Sequence, residues 1–128
     1  MKQRGFTVIE LMVAIVLLLV IGTVFWVQKN NIEVAARDDQ RKIAINSMYY
    51  TFEEVYYPTH KSYPKTLDSS TLPSVDPSLF KDPNGVTLGK SNSDYRYEPT
   101  NCSDTACKGY TLRADLENEA DYSKTSRN

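Results

Sequence analysis

Apolar residues are concentrated near the start of the chain. The stretch 8–27 has the length of about 20 residues that spans the hydrocarbon core of a membrane. Its exceptions to apolar character are Glu10, Gly22 and Thr23. The sequence therefore predicts a membrane-spanning helix close to the N-terminus.

The residues that flank this stretch predict its orientation. Lys2 and Arg4 precede it, and basic residues next to a membrane segment stay on the cytoplasmic side. A secretory signal would have a shorter apolar region followed by small residues, whereas residues 24–27 read Val-Phe-Trp-Val. We expect either an uncleaved anchor or an unusual signal, with the rest of the chain translocated.

An amphipathic pattern follows the apolar stretch. Apolar residues recur mostly at three- and four-residue steps, which is typical of a helix with one buried face: Ile32, Ala35, Ala36, Ile43, Ile45, Met48, Tyr49, Phe52, Val55 and Tyr56. The charged run 37–42 is assigned to the exposed face. One helix is predicted from Phe6 to Tyr57, with 28–57 as its amphipathic continuation, and Pro58 is expected to end it.

Residues 58–128 are predicted to form an extracytoplasmic globular part with a loop, a β-hairpin and a C-terminal tail. Alternating apolar and polar residues in 95–98 and 110–116 indicate two antiparallel strands, joined by 100–109. Their apolar face is expected to pack on the amphipathic helix. The predicted fold class is α+β, a long N-terminal helix against a small antiparallel sheet. The segment 68–92 is rich in turn residues and is expected to be outermost.

The charge balance argues against a dedicated nucleic-acid ligand. The chain has 15 basic and 16 acidic residues, and the basic ones are scattered among carboxylates.

Cys102 and Cys107 are the two cysteines of the chain. In an exported domain they are expected to form a disulfide, whereas in a cytosolic domain they would remain reduced thiols. A bridge that closes so short a loop is expected to stabilise the fold by only about 2 kcal/mol and to shape an exposed tip.

Glu10 is the one charged residue inside the apolar stretch. A carboxylate costs about 2.5–3.5 kcal/mol at the centre of a membrane helix, so its presence there suggests a function. It needs a positively charged partner, and no basic residue occurs between Arg4 and Lys29. An amine created by cleavage of the chain nearby could supply that partner.

Residues 2–11 resemble the N-terminus of type IV prepilins and pseudopilins, which have a basic leader, a glycine, a phenylalanine and a glutamate four residues later. The resemblance implies that residues 1–5 form a leader, which prepilin peptidase removes between Gly5 and Phe6. It implies N-methylation of the new amine of Phe6, and contact of Glu10 with the terminal amine of a neighbouring subunit during assembly. Residues 6–27 would first anchor the protein and then form the filament core.

The same resemblance implies the partners and the location. Identical subunits would form a helical filament, helped by an assembly platform in the cytoplasmic membrane. The subunit would lie in that membrane, with its N-terminus inside, before assembly and in an extracellular filament afterwards. Many family members have a proline at the place of Val27. Here any unwound segment of the filament is expected near Gly22 and Thr23.

No catalytic constellation, cofactor motif or metal-ligand spacing is evident, so a structural subunit is expected and not an enzyme. His60 is assigned to solvent. The acidic residues near the C-terminus could hold calcium or could form a solvated tail, and no metal site is predicted: Asp115, Glu117, Glu119 and Asp121.

Three functions remain open. The favoured one is a type IV pilus subunit for adhesion, motility or DNA uptake. The alternatives are a pseudopilin of a secretion or competence system and a monomeric, membrane-anchored binding module.

Overall fold

The structure is a computed structural model that describes residues 5–128. Residues 1–4, which belong to the predicted leader, lie outside the described residues. The chain divides into two compact units, residues 1–34 and residues 35–128.

A long α-helix opens the described chain. Helix α1 extends over Val8–Thr51, and the helical path continues as a π-helical turn over Phe52–Tyr56 and a short helix α2 over Tyr57–His60. Helix α1 continues through Gly22 and Thr23, where the Thr23 hydroxyl donates to a backbone carbonyl at 2.8 Å. The expected loosening at these residues concerned the filament and stays a prediction.

The prediction that Pro58 ends the helix was wrong by one turn. Pro58 lies in the first turn of α2 and has no N–H to donate to the helical turn that precedes it. The π-helical turn comes directly before it, with the N–H of Tyr57 bonded to the carbonyl of Phe52. The helical path ends at Lys61, which adopts a left-handed conformation (φ 56°).

Three strands form an antiparallel sheet in the order β1-β2-β3: β1 Tyr95–Cys102, β2 Cys107–Ala114 and β3 Tyr122–Thr125. The α+β fold class is confirmed, and so is the alternation, because Tyr110, Leu112 and Ala114 are all buried. The connection between β1 and β2 is shorter than predicted and covers 103–106. Strand β3 was missed, because its sequence Tyr-Ser-Lys-Thr has no apolar alternation.

The hydrophobic core lies between the second part of α1, the sheet and the segment 63–88. Its buried members are Ala44, Ile45, Met48, Phe52, Tyr63, Leu67, Leu72, Val75, Phe80, Leu88, Tyr95, Tyr110, Leu112 and Ala114. The expectation that 68–92 is outermost was therefore wrong at its apolar residues. Leu72, Val75, Phe80 and Leu88 are spaced too irregularly for periodicity to predict their burial, yet all four lie in the core.

The assignment of faces on α1 also needs correction. Asp38 and Arg41 each expose only 2% of their surface, although the charged run had been assigned to solvent. Ile43 and Val55, assigned to the buried face, are 60% and 53% exposed. Helical periodicity correctly predicted that Ile45, Met48 and Phe52 lie in the core. It did not predict the buried charged residues of the same helix.

Candidate processing and assembly site

The N-terminus of α1 is closed by a reciprocal cap between Thr7 and Glu10. The Glu10 carboxylate accepts hydrogen bonds from the Thr7 backbone N–H and hydroxyl, each at 2.9 Å, and the Thr7 hydroxyl accepts from the Glu10 N–H at 3.3 Å. This arrangement satisfies N–H groups that no helical carbonyl can reach. The carboxylate is thus hydrogen-bonded within its own chain, which the sequence analysis had not foreseen.

A sequence signal for this cap was present. Threonine followed three residues later by glutamate, directly before an apolar run, is the pattern of a capping box. The expectation that Glu10 needs a positively charged partner considered cations alone. It therefore overlooked hydroxyl and backbone donors.

Gly5 and Phe6 precede this cap. The Phe6 side chain is 89% exposed, the highest exposure among the large apolar residues of the described chain. A Cβ added at Gly5 would meet no atom within 4 Å, so packing within the described chain does not require glycine there.

The large apolar side chains of α1 up to Val27 are exposed, with fractions from 50% at Ile15 to 79% at Trp26. The helix is long and apolar enough to cross a membrane by length and composition. An apolar surface of this extent is not stable in water. The segment therefore requires lipid or other protein around it.

The comparisons with known proteins address this N-terminal segment. Residues 1–26 match a protein family described as the prokaryotic N-terminal methylation motif. Neither the comparison with curated proteins nor that with solved structures gives a match for this chain.

The motif is a class III signal peptide, characteristic of the prepilins of type IV pilins and pseudopilins. The N-terminus of this chain carries this motif, which implies processing by prepilin peptidase and membrane assembly. The cleavage position, the methylated Phe6 and the role of Glu10 in assembly stay predictions.

A buried ionic cluster centred on Arg41 joins distant parts of the globular unit. Its guanidinium donates to Asp38 at 2.8 Å, to Asp94 at 2.8 Å and to Glu117 at 2.9 Å. Asp38 in turn accepts from the backbone N–H groups of Glu117 and Asn118. The cluster therefore links α1 to the start of β1 and to the connection that follows β2.

The acidic residues considered for calcium face basic side chains. Glu117 accepts two hydrogen bonds from Arg37, at 2.7 Å each, besides the one from Arg41, and these bonds lower its pKa to about 2. Glu119 pairs with Lys42 at 2.7 Å, and Asp115 with Arg96 at 2.9 Å. In the part of the chain that the structure describes, no group of three or more ligating side chains is suited to a metal ion.

A second buried polar cluster surrounds Glu53, which is 6% exposed. Its carboxylate accepts from the hydroxyl of Tyr110 at 2.8 Å and from that of Tyr63 at 3.1 Å. Burial raises the pKa of Tyr63 to about 12 and raises the pKa of Tyr110 further. Both phenols therefore remain donors throughout the neutral range, and they satisfy a carboxylate that helical periodicity had not placed in the core.

Cys102 and Cys107 form a disulfide and face each other as a cross-strand pair at the ends of β1 and β2. Cys102 is exposed, whereas Cys107 is 1% exposed. The backbone of Cys107 also exchanges two hydrogen bonds with Tyr63, at 2.8 and 2.9 Å. The bridge is thus more than an exposed tip, because its buried half adjoins the segment that follows α2.

Proposed function

We propose that this chain is the structural subunit of a type IV pilus filament. It is made as a membrane-held prepilin, cleaved between Gly5 and Phe6 and methylated at Phe6. It then polymerises through residues 6–27, with the assembly platform and other copies of itself as partners. It acts as a building block for adhesion, motility or DNA uptake and not as an enzyme.

The observation that carries this proposal is one helix segment with two properties. Residues 1–26 carry the methylation motif, and the large apolar side chains of α1 within this segment are at least half exposed. A membrane and a filament core both remove such side chains from water, so one segment suits both stages.

The cap on Glu10 adds a step to assembly. In the separate subunit, the carboxylate is occupied by Thr7. A charged amine of a neighbouring Phe6 would form a stronger, charge-assisted bond to the same oxygens. Glu10 would then change partners when a subunit joins the filament, while a carboxylate never remains unpaired in an apolar surrounding.

Purified filaments provide the direct test. Filaments sheared from cells should contain this chain, with an intact mass that corresponds to a start at methylated Phe6. Material that begins at Met1 would contradict the processing step. A chain found only as a membrane-held monomer would favour the anchored binding module.

Glu10 variants test the exchange of partners. Glu10→Gln keeps an oxygen that can accept from Thr7 but removes the charge, so α1 should stay capped while filament yield falls strongly. Thr7→Val, the matched variant, removes the cap's hydroxyl and keeps the charge, so filaments should still form. Normal filament yield for Glu10→Gln would contradict the exchange.

A pseudopilin of a secretion or competence system is the second candidate. The sequence Asp82-Pro83-Asn84-Gly85 resembles a turn of pseudopilins, and here the buried Asp82 carboxylate accepts from the N–H groups of Asn84, Val86 and Asp94. Filament length separates the candidates. Long surface filaments at native expression support a pilus, and their absence supports a pseudopilus.

A further inference from the structure

A cleft of about 520 Å³ lies between the end of the helical path and the loop 70–74, within the globular unit. This volume is in the range of small-molecule sites. Hydroxyl-bearing side chains line it together with apolar surface from Val55 and Pro73.

Four hydroxyl groups that line the cleft already donate hydrogen bonds to other groups of the protein. Those of Thr51 and Thr59 donate to helix carbonyls at 2.9 and 3.2 Å. Those of Ser70 and Thr71 donate to the Asp68 carboxylate at 2.6 and 3.1 Å. Each oxygen keeps lone pairs, so these four groups present acceptors to the cleft.

His60 adds an aromatic face and a further acceptor. Its Nδ1 lies 3.0 Å from the carbonyl of Tyr56, so the neutral ring carries its hydrogen there and its Nε2 is an acceptor. The imidazole stacks on the Tyr56 ring, with the centroids 4.0 Å apart and the planes at 12°. His60 itself is exposed, so its other face is open to a ligand.

Charge and donor pattern together limit the chemistry of the occupant. None of the side chains that line the cleft is a carboxylate, an ammonium or a guanidinium. A matching ligand is uncharged, has several O–H donors and has one apolar face that can stack on a ring. A pyranose ring has this combination.

We propose that the cleft binds a neutral saccharide, whose apolar face stacks on His60 and whose hydroxyl hydrogens are donated to Thr59 and to other hydroxyl oxygens of the lining. Ser74, also in the lining, can donate or accept as the sugar requires. The proposal rests on the proposed function only in that the globular unit has to meet glycans outside the cell.

Binding is tested on the full-length chain in dodecylphosphocholine micelles, a detergent without a sugar head group. Methyl α-glucopyranoside, methyl β-galactopyranoside and methyl N-acetyl-β-glucosaminide are titrated separately at millimolar concentration. At least one of them should shift the amide NMR signals of Thr59, His60 and Ser74. No shift with any of the three sugars would overturn the proposal.

A fully O-methylated form of the binding sugar is the matched probe. It keeps the ring but has no hydroxyl donor, so it should not shift these signals. Equal shifts with the methylated probe would overturn the donor argument.

Two variants locate the site. Thr59→Val removes one acceptor of the cleft and should weaken binding by about two- to tenfold, the effect of one neutral hydrogen bond. Thr105→Val, at an exposed position in the turn between β1 and β2, makes the same chemical change and should leave binding unaltered. Equal affinities for the two variants would overturn the location.

The outcome is independent of polymerisation. Micelle-held subunits are titrated, so failure to bind sugar leaves filament formation unaffected. Failure to form filaments likewise leaves the titration interpretable.

Discussion

Two regions of α1 differ in which of their side chains are buried. Up to Val27 the large apolar side chains are exposed, for example Leu17 at 56%. In the second region Asp38 and Arg41 are almost completely buried, while Ile43 is 60% exposed. The helix backbone is the same in both regions, so the difference arises from what surrounds each one.

The comparison shows that polarity alone does not determine where a helical residue lies. A charged side chain is buried when distant residues supply its counter-charges and hydrogen bonds, as Asp94 and Glu117 do for Arg41. An apolar side chain remains exposed when the subunit has nothing to cover it. In the first region the cover has to come from lipid or from other subunits.

The largest effect is expected from a charge in the apolar region. Leu17→Lys should abolish filaments and weaken membrane retention, because a lysine at the centre of a membrane helix costs about 2.5–3.5 kcal/mol. Retention is measured by alkaline extraction of membranes, and the unfolding midpoint of the globular unit should not change. Ile43→Lys, outside the apolar region, is the matched control, and this variant should be retained in membranes like the parent protein. Parental retention and filaments for Leu17→Lys would show that the region does not need an apolar surrounding.

Removal of the buried cation should have the next largest effect, and on folding alone. Arg41→Met should lower the free energy of unfolding by about 3–5 kcal/mol, because it leaves Asp38 and Asp94 without their counter-charge. Chemical denaturation in micelles measures this loss. Lys42→Met removes a neighbouring charge whose partner Glu119 is 59% exposed, and little change is expected. Similar losses for the two variants would contradict the role of burial.

The hydroxyl of Tyr110 should have a smaller effect. Tyr110→Phe should cost about 1.5–3 kcal/mol, because one donor to the buried Glu53 carboxylate is lost while that from Tyr63 remains. Tyr50→Phe removes a hydroxyl at a position 52% exposed and should change stability by less than about 0.5 kcal/mol. The same denaturation curves compare the two, and an unaltered Tyr110→Phe protein would mean that water replaces the hydroxyl.

The smallest effect is expected on folding stability at acidic pH. The hydrogen bonds from Arg37 and Arg41 hold the pKa of Glu117 at about 2, below its ordinary value of 4.5. The folded state therefore binds this proton less readily than the unfolded chain, and the stabilisation present above pH 4.5 is lost as the pH falls towards 2. Thermal melts between these values should decline less steeply for Glu117→Gln than for the parent. If thermal stability declined equally with pH in both proteins, the acid sensitivity would come from other carboxylates.

Much of the fold could be predicted, because periodicity is a local property. Alternation identified β1 and β2, and apolar spacing identified the helix and its core residues Ile45, Met48 and Phe52. Strand β3 could not be found this way, since its four residues are held by pairing with β2 and not by an apolar face.

In the candidate site, too, some features follow from the local sequence and others only from the tertiary structure. The sequence by itself determined the methylation motif and the apolar segment, and it contained an overlooked signal for the Thr7–Glu10 cap, because each depends on residues only a few positions apart. Only the tertiary structure decided that Arg41 is buried, since its partners Asp94 and Glu117 lie 53 and 76 positions away. It also decided that His60 lines a cleft, because the opposite wall comes from the loop 70–74. Burial of a charge and closure of a cleft depend on which distant residues meet in the folded chain, and no local spacing encodes that.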